Sequence, residues 1–189
     1  MRIIAGKYRG RKLKSLPGAD TRPTSDRLRE TLFNILAPRI GGARFLDLFA
    51  GTGAVGIEAL SRGAEQVTFV DQSRTMCALI KANLETIQVD EKACEIVTAE
   101  ASDFLRAFLK KTVQPYDILY FDPPYASDYE EVLSFVGEHA EKLLKPAALI
   151  IVEHHKKKDL PAKAGDLKRY RVLKQGDSVL SFYQPVTNI

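Results

Sequence analysis

From residue 44 onward, short apolar runs alternate with amphipathic segments, and no other feature of the chain restricts its fold as strongly. The apolar runs occupy residues 45–49, 66–70, 94–97, 118–121 and 147–152. Between them, hydrophobic residues recur at helical spacing, most clearly over residues 74–86, 102–111 and 129–144. Strands that alternate with helices predict an α/β fold with a mostly parallel, doubly wound sheet, because each parallel crossover needs a connecting helix.

The C-terminal end of the chain departs from this alternation. Residues 170–174 and 178–184 are predicted strands, and the intervening Gln175-Gly176-Asp177 is typical of a tight turn. An antiparallel hairpin here brings the predicted sheet to seven strands.

The residues before position 44 form a separate pattern. Residues 2–16 alternate loosely around a turn at residues 8–11, which predicts a β-hairpin. A helix follows, capped by Thr24 or Ser25 and running to about Leu36. We therefore expect a small hairpin-and-helix extension in front of the main domain.

Basic residues are concentrated in this extension. The net charge of the chain is +4, but residues 1–44 contain 11 Lys and Arg against 3 Asp and Glu, so the remainder is net acidic. A positive field confined to one end indicates a polyanionic partner. The predicted division is a basic extension at residues 1–40, which would bind the polyanion, and a main domain at residues 41–189.

Composition excludes several other classes of protein. The 189 residues are 45% hydrophobic, and no apolar run approaches the roughly 20 residues of a membrane span. The first residues lack the apolar region of a secretory signal, so we expect a cytoplasmic protein without membrane contacts. We also expect a monomer. Cys77 and Cys94 are far apart and the histidines lack partners at ligand spacing, so no metal site is expected.

A glycine loop follows the first predicted strand. Its sequence, Gly51-Thr52-Gly53-Ala54-Val55-Gly56, lets the backbone approach a cofactor closely, and Asp71 ends the next strand. Spacing alone fits a dinucleotide, S-adenosylmethionine, or a turn that serves only the fold. Asp47 favours S-adenosylmethionine, because a carboxylate near the loop repels a pyrophosphate and attracts an ammonium and a sulfonium group.

The tetrapeptide Asp122-Pro123-Pro124-Tyr125 follows the fourth predicted strand. Its carboxylate can accept hydrogen bonds from an amine, and its prolines lack an N–H, so the backbone presents carbonyl oxygens. Its tyrosine ring can stack on a nucleobase. Right-handed crossovers should place the loops after strands one and four side by side, so the pattern predicts methylation of an amino group on a base.

These motifs resemble a known family. Residues 45–53 and 122–125 are similar to motifs I and IV of S-adenosylmethionine-dependent amino-methyltransferases. Residues 22–36 resemble more specifically the segment before the core in the bacterial 16S ribosomal RNA (guanine-N2)-methyltransferases, whose two ends resemble residues 2–6 and 176–183. The resemblance implies a Rossmann-like fold, S-adenosylmethionine as cofactor, and 16S ribosomal RNA in an assembling small subunit as partner.

The resemblance also assigns roles to residues. The cofactor-binding residues that it implies are Asp47, Phe49, Gly51, Gly53, Asp71, Glu100 and Ala101. Asp71 would hold the ribose, and Glu100 stands where relatives more often have Asp or Asn. The catalytic residues that it implies are Asp122, Pro123 and Tyr125. The predicted RNA contacts are Lys7, Tyr8, Arg9, Arg11, Lys12, Lys14 and Arg22, with Tyr8 available to stack on a base.

Other interpretations remain open from the sequence. A DNA adenine-N6 or cytosine-N4 amino-methyltransferase shares the same pocket chemistry but usually carries a larger recognition region. A protein-glutamine methyltransferase would have no use for the basic extension, and an inactive RNA-binding factor would not need Asp47, Asp71 and Asp122. Arg22 and Arg27 would contact RNA or the cofactor carboxylate. Residues 156–158 either extend the basic surface or are simply solvated.

Overall fold

The computed structural model describes residues 1–15, 25–124 and 129–186 and divides into two units, Met1–Glu100 and Ala101–Ile189. This division falls later in the chain than the predicted boundary near residue 40. A separate RNA-binding role for residues 1–40 stays a prediction. Tyr125 and Arg22 lie outside the described residues.

The first unit is a three-stranded parallel sheet with helices in its connections. Its strands are β1 (Arg44–Leu48), β2 (Gln66–Asp71) and β3 (Cys94–Thr98), in the order β3-β2-β1. Its helices are α1 (Asp26–Ile40), α2 (Ala54–Ser61) and α3 (Arg74–Thr86). The register pairs Leu48 with Val70 and Asp71 with Thr98. The carboxyl ends of all three strands therefore lie at one edge of this sheet.

The second unit is a mixed sheet. Its strands are β4 (Tyr116–Phe121), β5 (Leu144–His155), β6 (Lys163–Ala164), β7 (Leu167–Gln175) and β8 (Ser178–Pro185), in the order β4-β5-β8-β7-β6. Its helices are α4 (Ala101–Phe108), α5 (Tyr129–Glu138) and α6 (Ala140–Leu143). β4 and β5 are parallel, whereas the β5–β8, β7–β8 and β6–β7 pairs are antiparallel.

The predicted α/β class with an antiparallel C-terminal hairpin is confirmed. The described residues contain eight strands rather than seven, because the two-residue strand β6 folds back on the start of β7. A strand of that length has no periodicity to detect. The predicted helix over residues 129–144 is divided between α5 and α6.

Helix α1 begins where its capping sequence predicts. The Ser25 hydroxyl oxygen accepts a hydrogen bond from the Leu28 N–H at 3.2 Å, so Ser25 is the N-cap. The helix continues past Pro38 to Ile40, which is buried. Its predicted end near Leu36 was therefore one turn too early.

None of the helices in the described residues has the length and apolar character needed to cross a membrane.

The N-terminal segment, residues 1–15, folds back as predicted but scarcely forms strands. One antiparallel bridge joins Arg2 to Lys12, and the Gly10 N–H donates to the Ile3 carbonyl at 2.9 Å. Other main-chain groups bond instead to α2, where the Lys7 N–H donates to the Ser61 carbonyl at 2.7 Å. At Gly6, with φ +85°, a Cβ would lie 1.8 Å from that carbonyl oxygen, so only glycine fits.

A buried carboxylate in α2 holds this segment in place. Glu58 is 1% exposed and accepts hydrogen bonds from the Ile4 N–H at 2.8 Å and the Ala5 N–H at 3.0 Å. The Arg62 guanidinium donates to the same carboxylate at 2.8 Å, and Arg29 Nε lies 3.8 Å away. A buried charge is tolerated only when it is paired and hydrogen-bonded, and this one has both kinds of partner.

We predict that Glu58→Ala lowers the free energy of unfolding by about 3–5 kcal/mol, because it leaves the Ile4 and Ala5 N–H groups without their acceptor and the buried Arg29 guanidinium with Asp26 as its remaining carboxylate. Urea unfolding followed by circular dichroism measures the change. The control is Glu65→Ala, which removes an exposed carboxylate and should change stability by no more than about 0.5 kcal/mol. Equal unfolding midpoints for the two variants would contradict the assigned role of Glu58.

Candidate functional site

The loop between β1 and α2 has an unusual backbone. Phe49, Gly51 and Gly53 all have positive φ, at 59°, 52° and 75°. A non-glycine residue in this region costs about 1–3 kcal/mol and persists where the surrounding structure enforces it, often at functional sites. Here the Ala50 N–H donates to the Val70 carbonyl at 3.0 Å, which fixes the loop against β2.

Asp71 closes this loop from the tip of β2. One carboxylate oxygen accepts the Gly51 N–H at 2.8 Å, and the other accepts the Ser73 N–H at 2.8 Å. An ionised carboxylate has about four acceptor positions, so two remain for further donors. This arrangement orients Asp71 and is compatible with its predicted contacts to two ribose hydroxyls.

The glycines of the loop serve different purposes. A Cβ on Gly56 would lie 2.3 Å from the Phe69 ring, so this glycine lets α2 pack on β2. A Cβ on Gly51 would meet no atom closer than the Phe49 carbonyl oxygen at 3.9 Å, so this position faces open space. The opening, the strained backbone and the oriented carboxylate together fit a ligand with hydroxyl groups, such as the adenosyl part of the predicted cofactor.

Asp47 lies beneath the same loop. It is 1% exposed, and its carboxyl accepts the Gly56 N–H at 2.9 Å. Burial raises the pKa of Asp47 to about 8; the hydrogen bond from Gly56 opposes this rise and the charge of Asp71 adds to it. A cation bound nearby would stabilise the ionised form. The predicted contact with the methionine ammonium remains a prediction.

The two residues predicted at the adenine edge differ in exposure. Glu100 is exposed after β3, next to Ala99, whose N–H donates to the Asp71 carbonyl at 3.1 Å. Ala101 is buried and begins α4. Their proposed contacts with adenine stay predictions.

The second unit carries the predicted acceptor loop after β4. Asp122 is half-buried, Pro123 is buried and Pro124 is exposed. The Tyr129 hydroxyl donates to the Pro123 carbonyl at 2.9 Å, and Tyr129 is 2% exposed. Sequence reasoning missed Tyr129, because the first residue of an amphipathic helix gives no sign of a bond to the preceding loop. A carbonyl has two lone pairs, so Pro123 can still accept one more donor.

The predicted RNA contacts of the N-terminal segment divide into two groups. Lys7, Arg9, Arg11, Lys12 and Lys14 are exposed, and Arg11 Nη1 also donates to the Ile87 carbonyl at 2.6 Å.

Tyr8 differs from these cations because it is only 7% exposed. Its ring lies 5.2 Å from Lys7 Nζ and 5.5 Å from the Arg11 guanidinium carbon. This burial contradicts the predicted stacking of Tyr8 on a base, and the ring instead supports the two cations.

The basic segment begins beside the glycine loop. The Met1 sulfur lies 3.9 Å from the Thr52 hydroxyl oxygen, between Gly51 and Gly53. The first unit therefore contains both the exposed cations and the predicted cofactor residues from Asp47 to Glu100, whereas Ala101 belongs to the second unit. Within the described residues, no group of three His, Cys, Asp or Glu side chains is placed to hold a metal ion.

Comparisons with known proteins agree with this geometry. The family described as Conserved hypothetical protein 95 matches residues 1–184. The chain belongs to this family. It is 43% identical over 162 residues to ribosomal RNA small subunit methyltransferase D of Haemophilus influenzae, covering 85% of this chain and 81% of that protein. The Escherichia coli K12 protein of the same name is 36% identical over 185 residues, covering 97% and 89%.

A solved structure of an Escherichia coli protein described as a methyltransferase, yhhF, has a TM-score of 0.84 and 34% identity and covers 100% of this chain and 99% of that one. The predicted Rossmann-like fold is thereby confirmed. The chain is a methyltransferase, as its glycine loop and its Asp-Pro-Pro motif predicted.

We predict that Asp47 makes cofactor affinity depend on pH. The ligand-free carboxyl keeps its proton up to about pH 8, whereas a bound cation favours the ionised form. Affinity should therefore rise with pH below that value, by up to about tenfold per pH unit, and level off above it. Asp47→Asn should lose this rise while retaining any titration of the cofactor itself. Calorimetric titrations of both proteins across this range measure the ratio of their association constants. A ratio that is constant with pH would refute the assignment.

Proposed function

We propose that this methyltransferase acts on the exocyclic N2 amine of a guanine in 16S ribosomal RNA. The observation that carries the proposal is the match, along most of the chain, to proteins named ribosomal RNA small subunit methyltransferase D. The acceptor loop and the exposed cations of the N-terminal segment support it. We further propose that the enzyme is a cytoplasmic monomer and that its substrate is the RNA of an assembling small subunit.

The residues of the acceptor loop would hold the target amine. Asp122 and the Pro123 carbonyl would accept its two N–H groups, which favours a pyramidal nitrogen whose lone pair is free to react. The Tyr129 hydrogen bond fixes the direction of the Pro123 carbonyl. Stacking of the base on Tyr125, outside the described residues, is the third contact that we propose, worth about 1–3 kcal/mol.

The cofactor residues would act by binding and orientation. S-adenosylmethionine supplies an electrophilic methyl group on a sulfonium. Asp71 would accept hydrogen bonds from the ribose hydroxyls, and Asp47 would stabilise the positive charge of the methionine ammonium group. Ordering the two reactants is worth up to about 7–11 kcal/mol in well-oriented reactions. The proposal relies on the loops after β1 and β4 being neighbours, which is an expectation drawn from the sequence. Asp122 is also our candidate to receive the proton that the methylated amine releases.

The target base has to be accessible to enter such a pocket. A guanine paired within an A-form helix hides its Watson–Crick edge, so we propose a loop nucleotide or one that is flipped out. Methyl transfer from labelled cofactor to naked 16S RNA, pre-assembled small subunits, DNA and protein tests the substrate. Mass spectrometry of the digested product should identify N2-methylguanosine. A methylated adenine or cytosine would refute the guanine assignment.

We predict that Asp122→Asn lowers the turnover rate by about 100-fold or more while leaving cofactor affinity unchanged, because it removes the negative acceptor but keeps the shape. Single-turnover methylation and calorimetry measure the two effects. Asp103→Asn, which neutralises an exposed carboxylate in the same unit, is the control and should leave both values unchanged. A near-normal rate for Asp122→Asn would remove Asp122 from the mechanism.

We also predict that Arg9→Gln with Lys12→Gln weakens RNA binding and makes the log–log dependence of affinity on salt shallower by about 1.5, since two phosphate contacts are lost. Filter binding of 16S RNA at several KCl concentrations measures the slope. Lys81→Gln with Lys92→Gln removes the same charge from exposed positions elsewhere in the first unit. If both double variants keep the wild-type slope, the N-terminal segment is not an RNA contact.

A further inference from the structure

Strand β7 carries cations along an edge of the second unit. Strand β6 pairs only with Leu167 and Lys168 at its start, so in the described residues the rest of β7 has β8 alone as a strand partner. The Arg169 N–H still donates to the Ala162 carbonyl at 2.9 Å, so the open sheet edge is the outer side of β7 from Tyr170 to Gln175.

A bulge changes which side chains this edge presents. The β7–β8 register shifts between Arg169 and Arg171, which leaves Tyr170 as the extra residue. Tyr170, Arg171 and Val172 are consequently all exposed, whereas exposure would alternate in a regular half-buried strand. Tyr170 is 45% exposed and Val172 44%, among the most exposed large hydrophobic side chains in the described residues.

The charge around this edge is strongly positive. Residues 156–175 contain 8 Lys and Arg against 2 Asp and Glu. Some of these cations serve the fold: Lys156 pairs with Asp177 at 2.8 Å, and Arg169 donates to the Leu160 carbonyl at 2.7 Å. The exposed cations of the region include Lys157, Lys163, Lys168, Arg171 and Lys174.

The sheet register places one end of this row at the same edge of the sheet as the acceptor loop, with β5 and β8 between them. β5 runs parallel to β4, so its end at His155 lies at the same edge of the sheet as Asp122. β8 starts opposite His155, and Lys174 pairs with Val179 near that start. From Lys174 the cations continue along β7 to Lys168, a distance of about 20 Å at strand spacing.

We propose that the outer edge of β7, together with Lys157, binds the RNA strand that flanks the target nucleotide. This inference rests on the proposed function. The exposed cations contact successive phosphates, and the Tyr170 ring stacks on an unpaired base. A protein strand added to this edge fits less well, because the bulge at Tyr170 interrupts the ladder that such a strand needs. Charged side chains on an edge strand can also serve to prevent pairing with another chain. That role alone would not explain why Tyr170 and Val172 are exposed.

The test compares two triple variants. Lys168→Gln, Arg171→Gln and Lys174→Gln remove two charges from the open edge and one from the adjoining β6-paired end of β7. Lys110→Gln, Lys111→Gln and Lys142→Gln remove three exposed charges elsewhere in the same unit. Both are assayed for binding to deproteinised 16S RNA over a range of KCl concentrations, for cofactor binding and for thermal unfolding.

The edge variant should bind RNA at least about tenfold more weakly than wild type, with a salt dependence shallower by about 2. Its KM for RNA should rise while the turnover rate at saturating RNA is retained, and its cofactor affinity and unfolding temperature should not change. The control variant should resemble wild type. Lys168→Arg with Lys174→Arg should keep wild-type affinity, because these changes preserve the charge. Tyr170→Ala should weaken binding about fivefold or more without altering the slope.

Two results would overturn the proposal, and they differ from each other. If wild type methylates RNA while the edge variant binds RNA with wild-type affinity and slope, this inference alone is wrong. If wild type neither binds nor methylates RNA, the proposed function fails and this inference fails with it.

Discussion

The carboxylate of Glu58 sits inside the first unit, where a charge is stable only if other groups compensate it. Two main-chain N–H groups of the N-terminal segment and the guanidinium of Arg62 provide hydrogen bonds, and Arg29 adds a second positive charge. Detaching the segment would expose α2 and leave this ion without two of its donors. The buried Glu58 carboxylate needs hydrogen-bond donors, and this need fixes the position of the N-terminal segment, more than 50 residues away in the chain.

This attachment matters for binding RNA. Basic tails are often disordered and lose conformational entropy when they bind, which reduces affinity. Here Lys7, Arg9 and Lys12 are exposed on a backbone already held by Glu58 and Ser61. The segment is thus preorganised for the RNA contacts that we propose.

Helix α2 connects the two roles of the first unit. Its first turn carries Gly56, whose N–H bonds to Asp47 beneath the glycine loop. Its second turn carries Glu58 and Ser61, which hold the N-terminal segment. Because eight residues supply both sets of contacts, small shifts of this helix would affect the cofactor residues and the basic surface together.

Patterns that depend on neighbouring residues were predicted correctly. The strand–helix alternation, a helix cap at Thr24 or Ser25 and the C-terminal hairpin all follow from local periodicity and turn chemistry. The glycine loop was also recognisable, because its spacing and the following helix are local features. The short strand β6 was missed, and α1 was predicted to end a turn too early. In these two cases pairing with β7 and burial of Ile40 outweighed the local pattern.

The positions of particular side chains depended on residues far away in the chain. Tyr8 looked like an exposed stacking residue, but its main chain bonds to Ser61 and its ring is buried. Tyr129 looked like an ordinary helix residue, but its hydroxyl holds the Pro123 carbonyl. The amino-acid sequence alone determined the fold class, the cofactor loop and the chemistry of the acceptor motif, because each depends on residues that are adjacent in the chain. Which cations are exposed, which ring is buried and which carboxylate keeps a proton came from folding, because burial and hydrogen bonding are set by packing between distant segments.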